Sequence, residues 1–199
     1  MNDILNATES TSAGLIANNT HGENMEIKGR FHAECVGADG TVKWTEDFDN
    51  LVTTAGKNLA LDTILAGSGY TVTGPYLGLI SSVGYSAVNA ADTMASHAGW
   101  AEAGNGTNYP VWTTPASNAR GTPSWSAASS GSKATSSAVS FTIGATGGTI
   151  KGCFLVFGTG AVTTNNNTSG TLLSAGTFSG GDRVVITSDV VNVSYTLSL

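Results

Sequence analysis

The chain has 199 residues, 40% hydrophobic and only 11% charged, with eight Lys and Arg against fourteen Asp and Glu for a formal net charge of −6. That length suits one domain, or one domain plus a tail, with a core large enough to need no metal or disulfide staple. The charge balance excludes a general nucleic-acid binder, which needs a basic footprint. No run of 18 apolar residues offers a membrane-spanning helix, and Met1-Asn2-Asp3-Ile4-Leu5-Asn6 lacks the basic and apolar regions expected of a signal peptide. Gly contributes 26 residues, nearly twice its usual share of about 7%, and Ser and Thr supply about a quarter of the chain. Neutral hydroxyls cost less to desolvate than Lys or Glu, so this composition suits a turn-rich all-β protein with a large contact surface.

Residues 1–25 carry Ile4, Leu5, Leu15 and Ile16 as isolated apolar points in a polar background, with no period of 2 or 3.6. They read as an extended arm, disordered alone or ordered against a partner. The folded part, 26–199, opens with strict alternation. Ile27, Gly29, Phe31, Ala33 and Cys35 alternate with Lys28, Arg30, His32 and Glu34, which predicts a half-buried strand. The turn cluster Gly37-Ala38-Asp39-Gly40 and the following Val42, Trp44 and Phe48 complete a hairpin. Thr53 or Thr54 can cap a short helix whose Leu59, Leu61, Ile64 and Leu65 would pack on a sheet, with Gly67 at its C′ position. Gly56 weakens the first turn of that helix by about 1 kcal/mol.

Beyond the helix, Tyr76–Ile80 is a short apolar strand. The stretch 92–103 is Ala-rich, with Asp92 as a possible cap for a helical turn and Trp100 as its anchor. Residues 104–124 hold Pro110, Pro115 and Pro123 with Tyr109 and Trp112, a long loop or edge-strand excursion. Trp125 leads into a hydroxyl-rich bend. Strands follow at Val139–Ile143 and at Thr149–Phe157, whose near-continuous apolar character marks a central strand. Further strands are predicted around Leu172-Leu173, Val184–Ile186 and Val191–Leu197. About eight strands and one helix predict an all-β fold, a jelly-roll-like antiparallel β-sandwich with one short helix and an extended N-terminal arm.

Reactive residues form no recognisable constellation. His21, His32 and His97 have no zinc spacing, and His32 falls on the polar face of its strand. Cys35 and Cys153 sit among apolar strand residues and read as two buried reduced thiols. Glu46, Asp47 and Asp49 are the densest acidic cluster. Paired carboxylates can hydrolyse glycosides or hold Ca²⁺, but the Ca²⁺-loop pattern is absent and such spacing at a strand end usually makes a solvated rim. Asp182-Arg183 reads as a turn with a local ion pair. Trp44 is expected in the core. Trp100, Trp112 and Trp125, with Tyr109, cluster in or beside the loop-rich middle, as an interaction surface or as a small core beneath a long loop.

The passage Asn50-Leu51-Val52-Thr53-Thr54-Ala55-Gly56-Lys57-Asn58 resembles the N-x-V-x-x-x-G-x-N/D passage of small virion proteins of tailed bacteriophages. Tyr76–Ile80, Asp92–Trp100, Lys151–Val156 and the closing Leu173–Gly176 through Val193–Tyr195 are similar to the same group, and the 92–100 run is the most specific of these. The resemblance spans about residues 27–199 and leaves out 1–25. It implies a non-enzymatic structural protein, a capsid decoration (cement) protein that binds the major capsid protein and copies of itself as a trimer or dimer. The alternative is a tail-fibre or receptor-binding module recognising host glycan. Location on the virion after assembly in the bacterial cytoplasm is implied, with no cofactor, metal, nucleic acid or membrane. Contacts are expected from Ile4, Leu5, Leu15, Ile16, Trp100, Tyr109, Trp112 and Trp125. A depolymerase using Glu46 and Asp49 is the remaining, enzymatic reading.

Overall fold

A computed structural model describes residues 26–65 and 73–199. The predicted first hairpin is present as β1 (Lys28–Val36) and β2 (Val42–Asp49), with Arg30 opposite Asp49 and Cys35 opposite Trp44. Its alternation has the expected result: Phe31, Ala33 and Cys35 are buried while the residues between them face outward. After a short β3 (Leu51–Val52) the chain enters α1 (Thr54–Leu65). Thr53 is the cap, its hydroxyl accepting the Gly56 amide at 3.0 Å. The Gly67 position lies outside the described residues.

The remaining strands are β4 (Tyr76–Ser81), β5 (Ala101–Glu102), β6 (Trp112–Thr114), β7 (Ser132–Ala134), β8 (Val139–Ile143), β9 (Gly148–Phe157), β10 (Thr171–Thr177), β11 (Arg183–Val185) and β12 (Val190–Ser198). They form two six-stranded sheets with antiparallel pairing throughout. The first runs β2-β1-β12-β8-β6, with β7 paired to the far end of β12. The second runs β3-β10-β9-β4-β5, with β11 beside the start of β9. The opening and closing strands of the fold thus lie side by side, Lys28 against Ser198 and Val36 against Val190. Among the described residues this is the all-β sandwich with one short helix that the pattern predicts. The dozen strands exceed the expected eight because β3, β5, β6, β7 and β11 are only two or three residues long.

One core lies between the sheets. It joins Phe31, Phe48, Phe141 and Tyr195 of the first sheet to Leu77, Leu155 and Val185 of the second. The aromatics are in contact: Phe31 stacks on Phe48 at 5.3 Å and meets Tyr195 at 4.7 Å. A second core covers the opposite face of the second sheet, where Ile80, Phe154, Val156 and Leu172 meet Met94, Trp100 and Ala161. The near-continuous apolar run of β9 follows from this. Cys153 and Leu155 point into the first core, Phe154 and Val156 into the second, so both faces must be apolar. Gly152 completes the strand because any Cβ there would strike the Gly176 carbonyl of β10.

The stretch 92–103 contains no helix. It forms bridged turns that end in β5. Asp92 does act as a cap, but of a turn, accepting the Asn89 amide at 2.9 Å and the Trp100 indole N–H at 2.9 Å. The helical expectation fails because the segment is held by an aromatic anchor driven into the sheet, not by a periodic face.

Candidate functional site

Ionic side chains in this fold tie loops together. Arg120 is fully buried and makes a bidentate pair with Glu102: Nε donates to Oε1 at 2.9 Å and Nη2 to Oε2 at 2.8 Å. Arg120 also donates to the carbonyls of Val162 and Asn167, at 3.1 and 2.8 Å, and lies over the Phe154 ring at 5.5 Å. Glu102 accepts the Asn166 amide at 2.9 Å as well. One fork therefore joins β5, the 115–121 turn and the β9–β10 loop.

The acidic cluster is divided. Glu46 faces inward and is held by Arg183 and by the Ser179 hydroxyl at 3.0 Å, while Asp47 and Asp49 point outward toward Arg30. Glu46 and Asp49 thus sit on opposite faces of β2 and form no carboxylate pair. The expected Asp182–Arg183 pair is corrected too: Asp182, just before β11, binds Lys151 at 2.7 Å, and Arg183, the first residue of β11, turns to Glu46. His32 is exposed and meets Asp47 at 3.2 Å. Cys35 and Cys153 are free and buried. Burial, reinforced by the Asp189 charge, pushes the Cys35 thiol up to about 12, and burial also raises Cys153. Neither is poised as a nucleophile.

The feature that stands apart is an apolar groove of about 660 Å³ at one end of the sandwich. Ala60, Thr63 and Ile64 of α1 form one side, and Trp125, Lys133 of β7 and Leu197 and Leu199 at the end of β12 form the other. Phe157, Leu173 and Tyr195 lie deeper, and Ile27 closes the wall where the described chain begins. Lys133 is the one charged residue in this lining, and its ammonium donates to the Ser126 carbonyl at 3.0 Å. The Tyr195 hydroxyl accepts the Asn50 side-chain amide at 3.0 Å; burial raises its pKa, and the Asn50 hydrogen bond partly offsets that.

The helix makes the groove because it packs by a different face from the one its Leu spacing predicts. Only Gly56 and Leu59 are buried. Gly56 lies directly on β10, where an added Cβ would strike the Leu173 carbonyl, and the Thr53 amide donates to that same carbonyl at 3.0 Å. Leu61, Ile64 and Leu65 are exposed, Ile64 by 60% and Leu65 by 78%. Close contact through a glycine, not burial of leucines, seats the helix. The signal was Gly56 with Leu59, three apart on one face.

The aromatic expectations divide the same way. Trp100 is 4% and Trp112 is 1% exposed, so neither can be a contact surface; both are core. Trp100 stacks on His97 at 4.0 Å and meets Phe154 at 5.2 Å, and the Trp112 indole donates to the Ala119 carbonyl at 2.8 Å beside Phe141. Large rings anchored by an indole hydrogen bond are what hold Pro- and Gly-rich loops onto a sheet. Tyr109 remains 37% exposed, and Trp125 is half-buried in the groove wall. Ile4, Leu5, Leu15 and Ile16 lie outside the described residues.

Fold and groove together define a class: an antiparallel β-sandwich whose described residues leave an apolar groove open at one end. Comparison with family models, with curated proteins and with solved structures finds no match to this chain.

Proposed function

We propose that this chain is a non-enzymatic structural protein of a tailed-phage virion, a decoration protein that binds the shell of major capsid protein and strengthens the head. One observation carries the reading: the helix presents Leu61 and Leu65 outward, clear of the groove, instead of burying them. Contiguous exposed apolar surface on a monomer marks a protein contact. The remaining surface, rich in Ser and Thr and poor in charge, can be covered over a wide area at low desolvation cost. The resemblance of residues 27–199 to small virion proteins supplies the partner class. Copies of the chain meet each other and the shell through the outer face of α1 and the 104–124 excursion with Tyr109.

Glycan recognition at a tail tip is the weaker alternative. Of its three expected stacking platforms, Trp100 and Trp112 are buried and only Trp125 keeps an open face.

The test is saturable binding of the purified chain to shells assembled without it. Bound shells should survive higher temperature or chaotrope than bare ones. Binding with no gain in particle stability, or none to shells but retention on host polysaccharide, overturns the proposal.

A further inference from the structure

Among the described residues the groove beside α1 is open, and the chain carries a suitable occupant. Ile27, the second described residue, is itself part of the groove wall, so the polypeptide reaches this site directly from residues 1–25. Those 25 residues are polar except for Met1, Met25, scattered Ala and two apolar pairs, Ile4-Leu5 and Leu15-Ile16. They contain no Lys or Arg, but do contain Asp3, Glu9 and Glu23. The groove is the reverse: apolar, with Lys133 as its one charged residue. Reach is ample, since the eleven residue steps from Ile16 to Ile27 extend up to about 35 Å.

We propose that the apolar groove between α1 and the end of β12 is filled by the chain's own residues 1–25, seated through Leu15-Ile16 and Ile4-Leu5. Tethering favours this occupant over a second copy. A short linker holds the segment at an effective concentration of about millimolar, far above that of another molecule in dilute solution. The apolar pairs leave water on docking, and the groove wall of Ile27, Ile64, Trp125 and Leu199 leaves water with them. This proposal is independent of shell binding, because Leu61 and Leu65 stay outside the groove lining.

The experiment uses the full chain with a photo-crosslinking phenylalanine analogue in place of exposed Ile64, followed by peptide mapping. The expected adducts join position 64 to residues 1–25 of the same molecule, at a yield independent of protein concentration. A Leu15→Ser/Ile16→Ser variant of that chain should lose about tenfold in yield while its unfolding midpoint and circular dichroism show a folded sandwich. Adducts between two molecules, shown by mixing isotope-labelled and unlabelled protein, would overturn the proposal in favour of a second copy. Adducts outside 1–25, or a yield indifferent to Leu15 and Ile16, would overturn it outright.

Discussion

Replacing Glu102 by Ala strands Arg120. The guanidinium is fully buried and would keep only the Val162 and Asn167 carbonyls as acceptors. Breaking a buried ion pair from one side costs about 3–5 kcal/mol, because the remaining charge stays in the interior without its partner. The Asn166 amide loses its acceptor too, but Asn166 is exposed and water takes the place of the carboxylate. For a domain of this size each kcal/mol lowers Tm by about 2–4 °C, so a fall of about 6–20 °C is expected. Urea unfolding followed by tryptophan fluorescence reads the free energy, and calorimetry reads Tm. The double variant Glu102→Leu/Arg120→Met removes both charges and should recover most of the loss, to within about 2 kcal/mol of the parent. Limited proteolysis should place the first new cleavages of Glu102→Ala in 103–121 and 158–170, the loops the fork holds. A single substitution costing under about 1 kcal/mol, or a double variant as unstable as the single, would refute the assignment of this pair as the staple of those loops.

Other outcomes follow from the same contacts. Gly56→Ala should destabilise by about 1–3 kcal/mol through collision with the Leu173 backbone, although helix propensity alone would stabilise by about 1 kcal/mol; a gain in urea midpoint would show that α1 does not lie on β10. Leu61→Asp/Leu65→Asp should leave stability within about 1 kcal/mol yet weaken shell binding at least tenfold in a pelleting assay. Cys35 and Cys153 should resist an aromatic disulfide reagent at pH 8 in the native protein and react fully in urea. Stability should also decline on the alkaline side. The Cys35 thiol is raised to about 12 and the Tyr195 phenol is raised, so the folded state keeps protons that the unfolded chain releases. Their contribution is present below the unfolded values and is lost as pH rises from about 9 toward 12. A flat urea midpoint across that range contradicts the assignment.

Strands with one buried face were legible because alternation reports burial directly: β1, β8 and β12 lie where Phe31, Phe141 and Val193 place them. β9 was legible for the opposite reason, its unbroken apolar run requiring cover on both sides. The second core was not legible. Its cover is the irregular segment holding Met94 and Trp100, which has no period to read. Side-chain pairings at long range were equally hidden. Arg183 has Asp182 beside it in sequence and chooses Glu46, 137 positions away. The orientation of α1 was misread because Leu61, Ile64 and Leu65 give a stronger hydrophobic signal than Gly56 and Leu59, while the energetics reward the closest backbone approach. That inversion is why the candidate surface exists at all: leucines expected inside are outside. Trp100 and Trp112 show the complementary error, since aromatics in a polar loop look like contacts until the indole hydrogen bonds place them beneath it.

The most direct test is a reconstruction of the intact phage particle at a resolution that traces backbone. The proposal predicts this sandwich in many symmetry-related copies on the outside of the head, with Leu61 and Leu65 of α1 at a contact with shell or neighbour. Particles that lack the chain, or carry it only at the tail tip, would contradict it.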